Sequence, residues 1–511
     1  MNPASRFPVV ATVVLLSLFL GPGAASGAEL TGQAVYTQHC AACHGANGDG
    51  NGPASVWLYP KPRNFNLGLF KVRSTPFASL PTDDDLFQTI TRGMQGSSMP
   101  SFTYLSEKER RDVVQYVKYL TAVVEGGQRV NKFEAAAKSG QLAKPVAVPP
   151  EPADNVENLV LGKEVFIRAG CVACHGETGA GDGPGAATLK DVLGIPARPR
   201  DFNSGAFRGG HTGTDLYLRI HNGMAGTPMT AFGAAMMKPE ERWAIVHYIQ
   251  SLRRRDIEVN DMLTPEDGMI HAKKVAKLPT EPTDNFWETI DSVRVPLNPL
   301  WPEPKPILAV AVAAVHDGKR VAILCTWRDA SFDGSAVRME DFQDGVALQF
   351  SMSDTMPFLG MGDSKNPVNL WFWRAGWQSE VAGNRPEMRD IHPSMHVDLY
   401  PEKGALYTTA IAAGNGISVA HLSPVEDANA HGFGTLKSQP VAQQNVQGKG
   451  VWRDGFWTVM ITRDLQSPDA DDVKLAVGKA TPVAFAVWNG EQRDRNGRKV
   501  ISNWFHLDLE N

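Results

Sequence analysis

The feature that most constrains the fold is an internal repeat. The stretch QHCAACHGANGDGNGP (38–53) returns as GCVACHGETGAGDGP (170–184), so that the cysteine at 40 is matched by the cysteine at 171. Further along, PRNF (62–65) is matched by PRDF (199–202), RGMQGSSMPSF (92–102) by NGMAGTPMTAF (222–232), and EKERRDVVQYVKYL (107–120) by EERWAIVHYIQSL (240–252). Self-similarity of this kind marks a repeated structural unit. Two similar units of roughly a hundred residues are therefore expected to follow one another.

Both units are predicted to be helical at their two ends. Helical stretches at 31–39 and 161–169 precede the cysteine motifs. Apolar residues recur at intervals of three and four in the closing segments, at Val113, Val114, Val117 and Leu120 and at Trp243, Val246, Ile249 and Leu252. Ser106 and Glu109 are spaced as a capping box for the first closing helix.

Each unit carries a Cys-x-x-Cys-His motif, the attachment signature of c-type haem. Two thiols add to the vinyl groups of one porphyrin, and the adjoining imidazole reaches the iron. Cys40 and Cys43 are therefore predicted to bind one haem with His44 as axial ligand, and Cys171, Cys174 and His175 a second. A four-sulfur zinc site is the alternative, but it does not explain the histidine in both copies. The glycines after each motif are expected to let the chain wrap closely around the macrocycle.

Both units resemble class I cytochrome c domains, which present a distal methionine in a loop before the last helix. This resemblance implies that Met99 in SSMPSF and Met229 in TPMTAF are the sixth iron ligands, although threonine follows Met229 where the family has proline. Met94 and Met224 are the alternative pair. Methionine with histidine raises the haem potential, and a six-coordinate iron has no open position for a substrate.

After residue 304 the hydrophobic period changes from helical to two. Segments such as RVAILCTW (320–327), VNLWFW (368–373), ALYTTAIAA (405–413) and the hairpin VWRDGFWTVMITR (451–463) predict strands. The expected fold is multidomain: two all-α cytochrome c domains followed by an antiparallel β-sandwich. The predicted order is a signal peptide (1–28), cytochrome c domain 1 (29–125), a proline-rich linker (126–155), cytochrome c domain 2 (156–256), a second linker (257–304) and the sandwich (305–511).

Several parts of the last region resemble the haem b-binding gamma subunit of ethylbenzene dehydrogenase-type molybdoenzymes. They are FQDGVALQFSMSD (342–354), PFLGMGDSKNPVNLWFWRAGW (357–377), GVWRDGFWTVMITRDL (450–465) and PVAFAVWNGEQRDRNGRKVISNW (482–504). The resemblance implies one non-covalent haem b held between a methionine and a lysine, by position Met361 and Lys499. Lys449 and Met352 are the rival ligands. A lysine ligand must be deprotonated, so Lys499 is expected to be buried.

Charge and the N-terminus limit the classes of function. A formal net charge of −5 gives no basic footprint for nucleic acid. Arg6, an apolar run at 9–20 and small residues up to Ala28 predict a cleaved signal peptide and a periplasmic protein, with an uncleaved membrane anchor as the alternative. Cys325, outside both motifs, is predicted to be a buried free thiol.

The sequence therefore predicts an exported electron-transfer subunit with no catalytic residue of its own. Two haem c and one haem b would carry electrons between a molybdenum and iron–sulfur oxidoreductase and a soluble or membrane redox partner. The resemblance implies a molybdopterin catalytic subunit and an iron–sulfur subunit as partners. Two alternatives remain: a haem peroxidase-like enzyme, which needs an open iron position, and a dihaem cytochrome fused to a ligand- or carbohydrate-binding sandwich, although no carbohydrate is expected.

Overall fold

The computed structural model describes residues 27–125, 128–254, 265, 268–301, 303, 305–335, 337–353, 356–384, 392–394 and 421–511. Within this part of the chain, the N-terminal half is helical and the C-terminal half is mainly a β-sheet. The strand predicted at 405–413 and most of the predicted signal peptide lie outside the described residues. None of the described helices combines the length and the apolar character needed to cross a bilayer.

The first helical unit (unit 1) begins at the first described residue. Its helices are α1 (Gly27–His39), α2 (Ala41–His44), α3 (Asp83–Arg92) and α4 (Glu107–Leu120). The Ser106 hydroxyl accepts from the Glu109 amide, and the Glu109 carboxylate accepts from the Ser106 amide at 2.8 Å. The predicted capping box at the start of α4 is therefore confirmed.

Unit 1 is followed by a short hairpin and a helix: β1 (Ala122–Glu125), β2 (Gln128–Asn131) and α5 (Lys132–Lys138). These elements fall in or beside the predicted linker 126–155. Phe133 of α5 is buried in the hydrophobic core of unit 1. Further on, the Val146 amide donates to Ser74 at 2.9 Å, and the Trp243 indole donates to Pro149 at 3.2 Å. The segment is therefore packed against both units and is not a free spacer. Its apolar side chain Phe133 is buried in the core of unit 1.

The second helical unit (unit 2) repeats the first. Its helices are α6 (Val156–Arg168), α7 (Val172–His175), α8 (Gly213–Asn222) and α9 (Pro239–Ser251). The first and last helices of each unit cross where one of them carries a glycine, Gly32 in α1 and Gly162 in α6. A Cβ at Gly162 would lie against the carbonyl oxygen of Ala244 in α9, well inside van der Waals contact. The glycine therefore sets how closely the two helices approach.

Replacing Gly162 with alanine is expected to lower the free energy of unfolding by about 1–3 kcal/mol, the usual cost of overpacking a core. The added methyl group meets helix backbone, which cannot move aside as the end of a side chain can. Lys163→Ala, at the exposed neighbouring position of the same helix, is the matched control and should change stability little. Chemical denaturation of the two variants measures the difference. If the Gly162→Ala and Lys163→Ala variants were equally stable, the two helices would not be in the close contact that the structure shows.

The C-terminal region (the β region) is built on one large sheet with a short helix. The strands are β3 (Met269–Lys274), β4 (Val293–Pro296), β5 (Asn298–Pro299), β6 (Ala309–His316), β7 (Arg320–Arg328), β8 (Gly345–Ser351), β9 (Val368–Arg374), β10 (Val425–Ala430), β11 (Lys437–Ser438), β12 (Gln447–Arg453), β13 (Phe456–Asp464), β14 (Ala480–Trp488), β15 (Val500–Ile501) and β16 (Phe505–Leu509), and the helix is α10 (Ala375–Val381). Along the sheet the order is β11-β10-β9-β8-β14-β16-β3-β6-β7-β13-β12.

The sheet differs from the prediction in two ways. It is mixed, because β3 pairs in parallel with both β16 and β6. It also begins earlier than residue 305, because β3, β4 and β5 all lie in the segment predicted to be the second linker. The predicted hairpin at 451–463 is present, and Asp454 and Gly455 at its turn both have positive φ, as a type I′ turn requires.

Successive side chains in the central strands point to opposite faces of the sheet, as strand geometry requires. Val346, Leu348 and Phe350 of β8 enter the main core, together with Trp371 and Trp373 of β9. Cys325 of β7 lies in the same core and forms no disulfide, as predicted. The alternate residues of β8, β9 and β14 face the other way, toward the two helical units.

Candidate haem sites

One cavity of about 1430 Å³ lies between the two units and the outer face of the sheet. Every residue predicted to hold a haem lines it: Cys40, Cys43, His44 and Met99 of unit 1, Cys171, Cys174, His175 and Met229 of unit 2, and Met361 and Lys499 of the β region. The rivals Met94 and Met224 also line the cavity, whereas Met352 and Lys449 do not. Residues up to 459 positions apart in the chain (40 to 499) are thus brought to one space.

In unit 1 the motif histidine is held from two sides. His44 Nδ1 lies 2.9 Å from the carbonyl oxygen of Arg63, and its ring stacks on Phe65 with centroids 4.5 Å apart. Burial lowers the pKa of His44 to about 4, so the ring is neutral near pH 7. A neutral ring facing a carbonyl carries its proton on Nδ1, which leaves Nε2 free to bind a metal.

Unit 2 repeats this arrangement with small differences. His175 stacks on Phe202 with centroids 4.5 Å apart. Its Nδ1 faces the carbonyl of Arg200, although the geometry falls short of a hydrogen bond. Burial lowers the pKa of His175, and the Arg200 carbonyl opposes this fall. Arg200 and Arg63 occupy matching positions in the PRDF and PRNF segments, so the histidine is oriented by the same device in both units.

The donor set in each unit fits a covalently attached haem. None of the four motif cysteines is in a disulfide. Burial raises the pKa of the Cys40 and Cys43 thiols to about 12 and that of Cys171 to about 11. Among the described residues, no group of three or more His, Cys, Asp or Glu side chains is arranged to hold a metal ion. The four-sulfur zinc alternative therefore has no support.

The glycines after each motif make close contacts within the protein. A Cβ at Gly52 would collide with the carbonyl oxygen of Ala42, and one at Gly48 would approach Leu120 of α4 to 2.9 Å. Gly183 and Gly179 meet the corresponding atoms of unit 2. The glycines are thus needed because the loop folds back on the motif turn and the closing helix.

The two methionines of each unit sit in one tight loop. The Met94 amide donates to the Met99 carbonyl at 3.0 Å, and the Met224 amide donates to the Met229 carbonyl at 3.1 Å. A hydroxyl between them, on Ser97 or Thr227, donates to the first methionine's carbonyl. The assignment of Met99 and Met229 as iron ligands stays a prediction, because both methionines of each loop line the cavity.

The Met99 loop is also held by the β region, which the sequence did not predict. The Gly96 amide donates to Asn298 Oδ1 at 2.9 Å, and the Ser101 amide donates to Asn503 Oδ1 at 3.0 Å. Tyr104 packs in the same hydrophobic cluster as Met361. The loop that carries the predicted distal ligand of unit 1 therefore touches the predicted haem b site.

Met361 has an unusual backbone conformation. Its φ is +73°, in the left-handed region that non-glycine residues rarely adopt. Its amide donates to the Leu359 carbonyl at 2.9 Å, and its carbonyl accepts from the Gly432 amide at 2.8 Å. Such outliers concentrate at functional sites, where the surrounding structure maintains them. The Met352 sulfur, by contrast, accepts from the Asn429 side chain at 3.5 Å, outside the cavity.

The two candidate lysines have opposite surroundings. Burial lowers the pKa of Lys499 to about 8. Its Nζ lies 4.7 Å from the centroid of the Trp488 ring and, among the described residues, forms no hydrogen bond or ion pair. Lys449 is half exposed and forms an ion pair with Glu281. Of the two amines, only that of Lys499 is both easily neutralised and free to bind a metal in the cavity.

Two helical units with Cys-x-x-Cys-His motifs, and a β region whose Met361 and Lys499 line the same cavity, define a cytochrome of composite build. The cytochrome c family profile matches residues 30–121 and 159–253, and the ethylbenzene dehydrogenase profile matches residues 284–500. The chain therefore joins two segments similar to cytochrome c to one segment similar to ethylbenzene dehydrogenase.

Relatives of the chain include proteins named as haem or gamma subunits of reductases and of a dehydrogenase. It is 27% identical over 236 residues (45% of this chain and 68% of the relative) to a protein of Haloferax mediterranei named as respiratory nitrate reductase haem subunit ORF7. It is 27% identical to the gamma subunit of dimethylsulfide dehydrogenase from Rhodovulum sulfidophilum, over 45% of this chain and 74% of the relative. A chain of a reducing HAO-like complex from Kuenenia stuttgartiensis is 38% identical, with a TM-score of 0.40, over 44% of this chain and 96% of that chain.

Proposed function

We propose that the protein transfers electrons through two covalent haem c groups and one non-covalent haem b. The single observation that carries the proposal is the common cavity, which is lined by a complete set of ligands for three haems. Haem iron supplies one-electron transfer when bound. The protein's own contribution is to hold the three groups in one enclosed space with neutral ligands.

The ligand assignments follow from the site. His44 and Met99 would close one iron, and His175 and Met229 a second, with the neighbouring cysteines as covalent anchors. Met361 and Lys499 would close the third. With these ligands each iron would have a side chain on both faces and would offer no position for a substrate, which favours electron transfer over a peroxidase-like reaction. The carbohydrate-binding alternative leaves the methionine and lysine inside the cavity without a role.

We further propose that the partners are a molybdopterin catalytic subunit and an iron–sulfur subunit, with a soluble or membrane redox partner at the other end. The relatives' names support this, since they are haem or gamma subunits of a nitrate reductase and of dimethylsulfide dehydrogenase. The pattern at residues 1–28 supports export to the periplasm, where c-type haem motifs are used. Unit 1 can relay electrons in this scheme, because it contacts both unit 2 and the β region.

The test is a haem count on the full chain from a host that matures c-type cytochromes. Acid–acetone extraction should release one haem per chain, and a pyridine haemochrome assay should find two that stay covalently bound. Replacing both Cys171 and Cys174 with serine should lower the covalent count from two to one and leave the extractable haem in place. Protein with no extractable haem would contradict the haem b assignment and would favour a binding module instead.

A further inference from the structure

The cavity wall between the two helical units is unusually rich in cations. Arg63 and Lys71 of unit 1 and Arg200 and Arg208 of unit 2 all line it, and we call these four side chains the basic cluster. Each lies close enough to its neighbours to interact electrostatically, Lys71 with Arg63 and Arg208, and Arg208 with Arg200. The cluster thus crosses from one unit to the other.

The protein provides few acceptors for these charges. Arg63, Lys71 and Arg208 form no side-chain hydrogen bond or ion pair among the described residues, and the Arg208 Nε is buried without a partner. Arg200 donates to the carbonyls of Ala206 at 2.6 Å and Gly96 at 3.4 Å. Buried charges in proteins are normally paired, so four cations in one wall indicate a missing anion.

Two carboxylates interact with the cluster, and each is already engaged in its own loop. Asp201, which interacts with Arg200, accepts from the Asn203 amide at 2.9 Å. Asp191 is close to Arg63 and Lys71. Its Oδ1, however, accepts from the amides of Leu193 at 2.9 Å and Ile195 at 3.0 Å, which close its own loop. Burial and the neighbouring arginines lower the pKa of Lys71 to about 7. Two carboxylates beside four basic side chains therefore leave part of the positive charge uncompensated.

The interface that carries the cluster is fixed. Arg92 of unit 1 and Asp215 of unit 2 form an ion pair at 3.1 Å, and the Tyr59 hydroxyl donates to the Pro196 carbonyl at 2.7 Å. Arg73 is fully buried and donates to the Asn222 carbonyl across the same interface at 2.7 Å. The cations from the two units are thus held side by side and cannot separate to find water.

We propose that the basic cluster is a shared binding site for the propionate carboxylates of both covalent haems. The proposal rests on the proposed function, because it needs a haem in each unit. The cysteines hold the vinyl-derived edge of each porphyrin, and the propionates leave from the opposite edge. Arg63 and Arg200 stand beside the two motif histidines through their carbonyls, so the cluster is within the surroundings of both haems. Guanidinium groups suit carboxylates because they can donate two parallel hydrogen bonds.

A shared site predicts an effect that separate sites do not: removing a charge from unit 2 should change the midpoint potential of the haem in unit 1. In the full chain with its haems bound, Arg208→Gln is expected to lower both c-haem midpoint potentials, because loss of a nearby positive charge favours the oxidised iron. We expect about a tenfold change in each one-electron equilibrium, or ~59 mV. Lys71→Gln should do the same from the other unit.

The control is Arg111→Gln, which removes the same charge from the exposed surface of unit 1, where Arg111 pairs with Glu107. It should leave both potentials unchanged. If Arg208→Gln shifts only one potential, or none, while both covalent haems are retained, the shared site is wrong. Wild-type protein without covalent haem would instead refute the proposed function.

Free anions are the other source of the same chemistry, and buffer composition separates the two. Potentials of the wild type are compared in phosphate and in chloride at equal ionic strength. Propionates held by the cluster should make the potentials independent of this exchange. Potentials that depend on phosphate in the wild type but not in Arg208→Gln would show a soluble anion in the cluster and would overturn the assignment.

Discussion

Replacing Lys499 with alanine is expected to remove most of the acid-extractable haem from the purified chain and to leave the two covalent haems in place. The substitution deletes one of the two proposed iron ligands. The rival amine, that of Lys449, does not line the cavity. Loss of even an outer-shell partner of a metal ligand lowers affinity about 10–100-fold, so loss of the ligand itself should cost at least as much. Extraction followed by haem quantification measures the effect.

Lys449→Ala is the matched control for this experiment. Lys449 is half exposed and paired with Glu281 outside the cavity, so its loss should leave the extractable haem at one per chain. If Lys499→Ala kept the extractable haem and Lys449→Ala lost it, Lys449 would be the ligand in place of Lys499. Retention in both would show that neither lysine binds iron. Circular dichroism of each variant reports whether the sheet has folded, which separates ligand loss from unfolding.

Replacing Met99 with alanine is expected to open the iron of the unit 1 haem. With the thioether gone, the reduced protein should bind carbon monoxide at one haem, which the wild type should not do. The midpoint potential of that haem should fall on the order of 0.1 V, a modest part of the roughly 0.8 V range that axial ligands control. Spectroelectrochemical titration and the carbon monoxide difference spectrum measure the two effects.

Met94→Ala is the natural comparison, because Met94 lies in the same loop and also lines the cavity. It should keep the methionine-to-iron charge-transfer band of the oxidised protein and should not bind carbon monoxide. If Met94→Ala bound carbon monoxide and Met99→Ala did not, Met94 would be the iron ligand. The same pair of variants at Met224 and Met229 tests unit 2 independently.

Several elements could be predicted from the sequence because their causes are local. The capping box of α4 depends on two residues three apart, and the hairpin at 451–463 on an Asp-Gly turn between strands. The haem motifs are equally local, since three residues in five carry the chemistry. Such local patterns predict the same structure regardless of how the rest of the chain folds.

Other features could not be predicted because their partners are distant in sequence. The strand β3 is short, and it belongs to the sheet only because β16 and β6 lie on either side of it. The segment predicted as a proline-rich linker is packed because Phe133 enters the core of unit 1. The motif glycines face Leu120 and Leu252 of the closing helices, a contact that composition alone does not reveal.

The sequence by itself determined the two repeated units and their Cys-x-x-Cys-His motifs, because spacing and residue type are enough to specify that chemistry. The prediction of a methionine and a lysine for a third site came instead from the resemblance to a known family. Only the tertiary structure decided that all the predicted ligands line one cavity and that Lys499 faces it while Lys449 pairs at the surface. It also decided that cations from both units meet with few acceptors. The physical reason is that burial and charge compensation are properties of the packed assembly, in which residues hundreds of positions apart become neighbours.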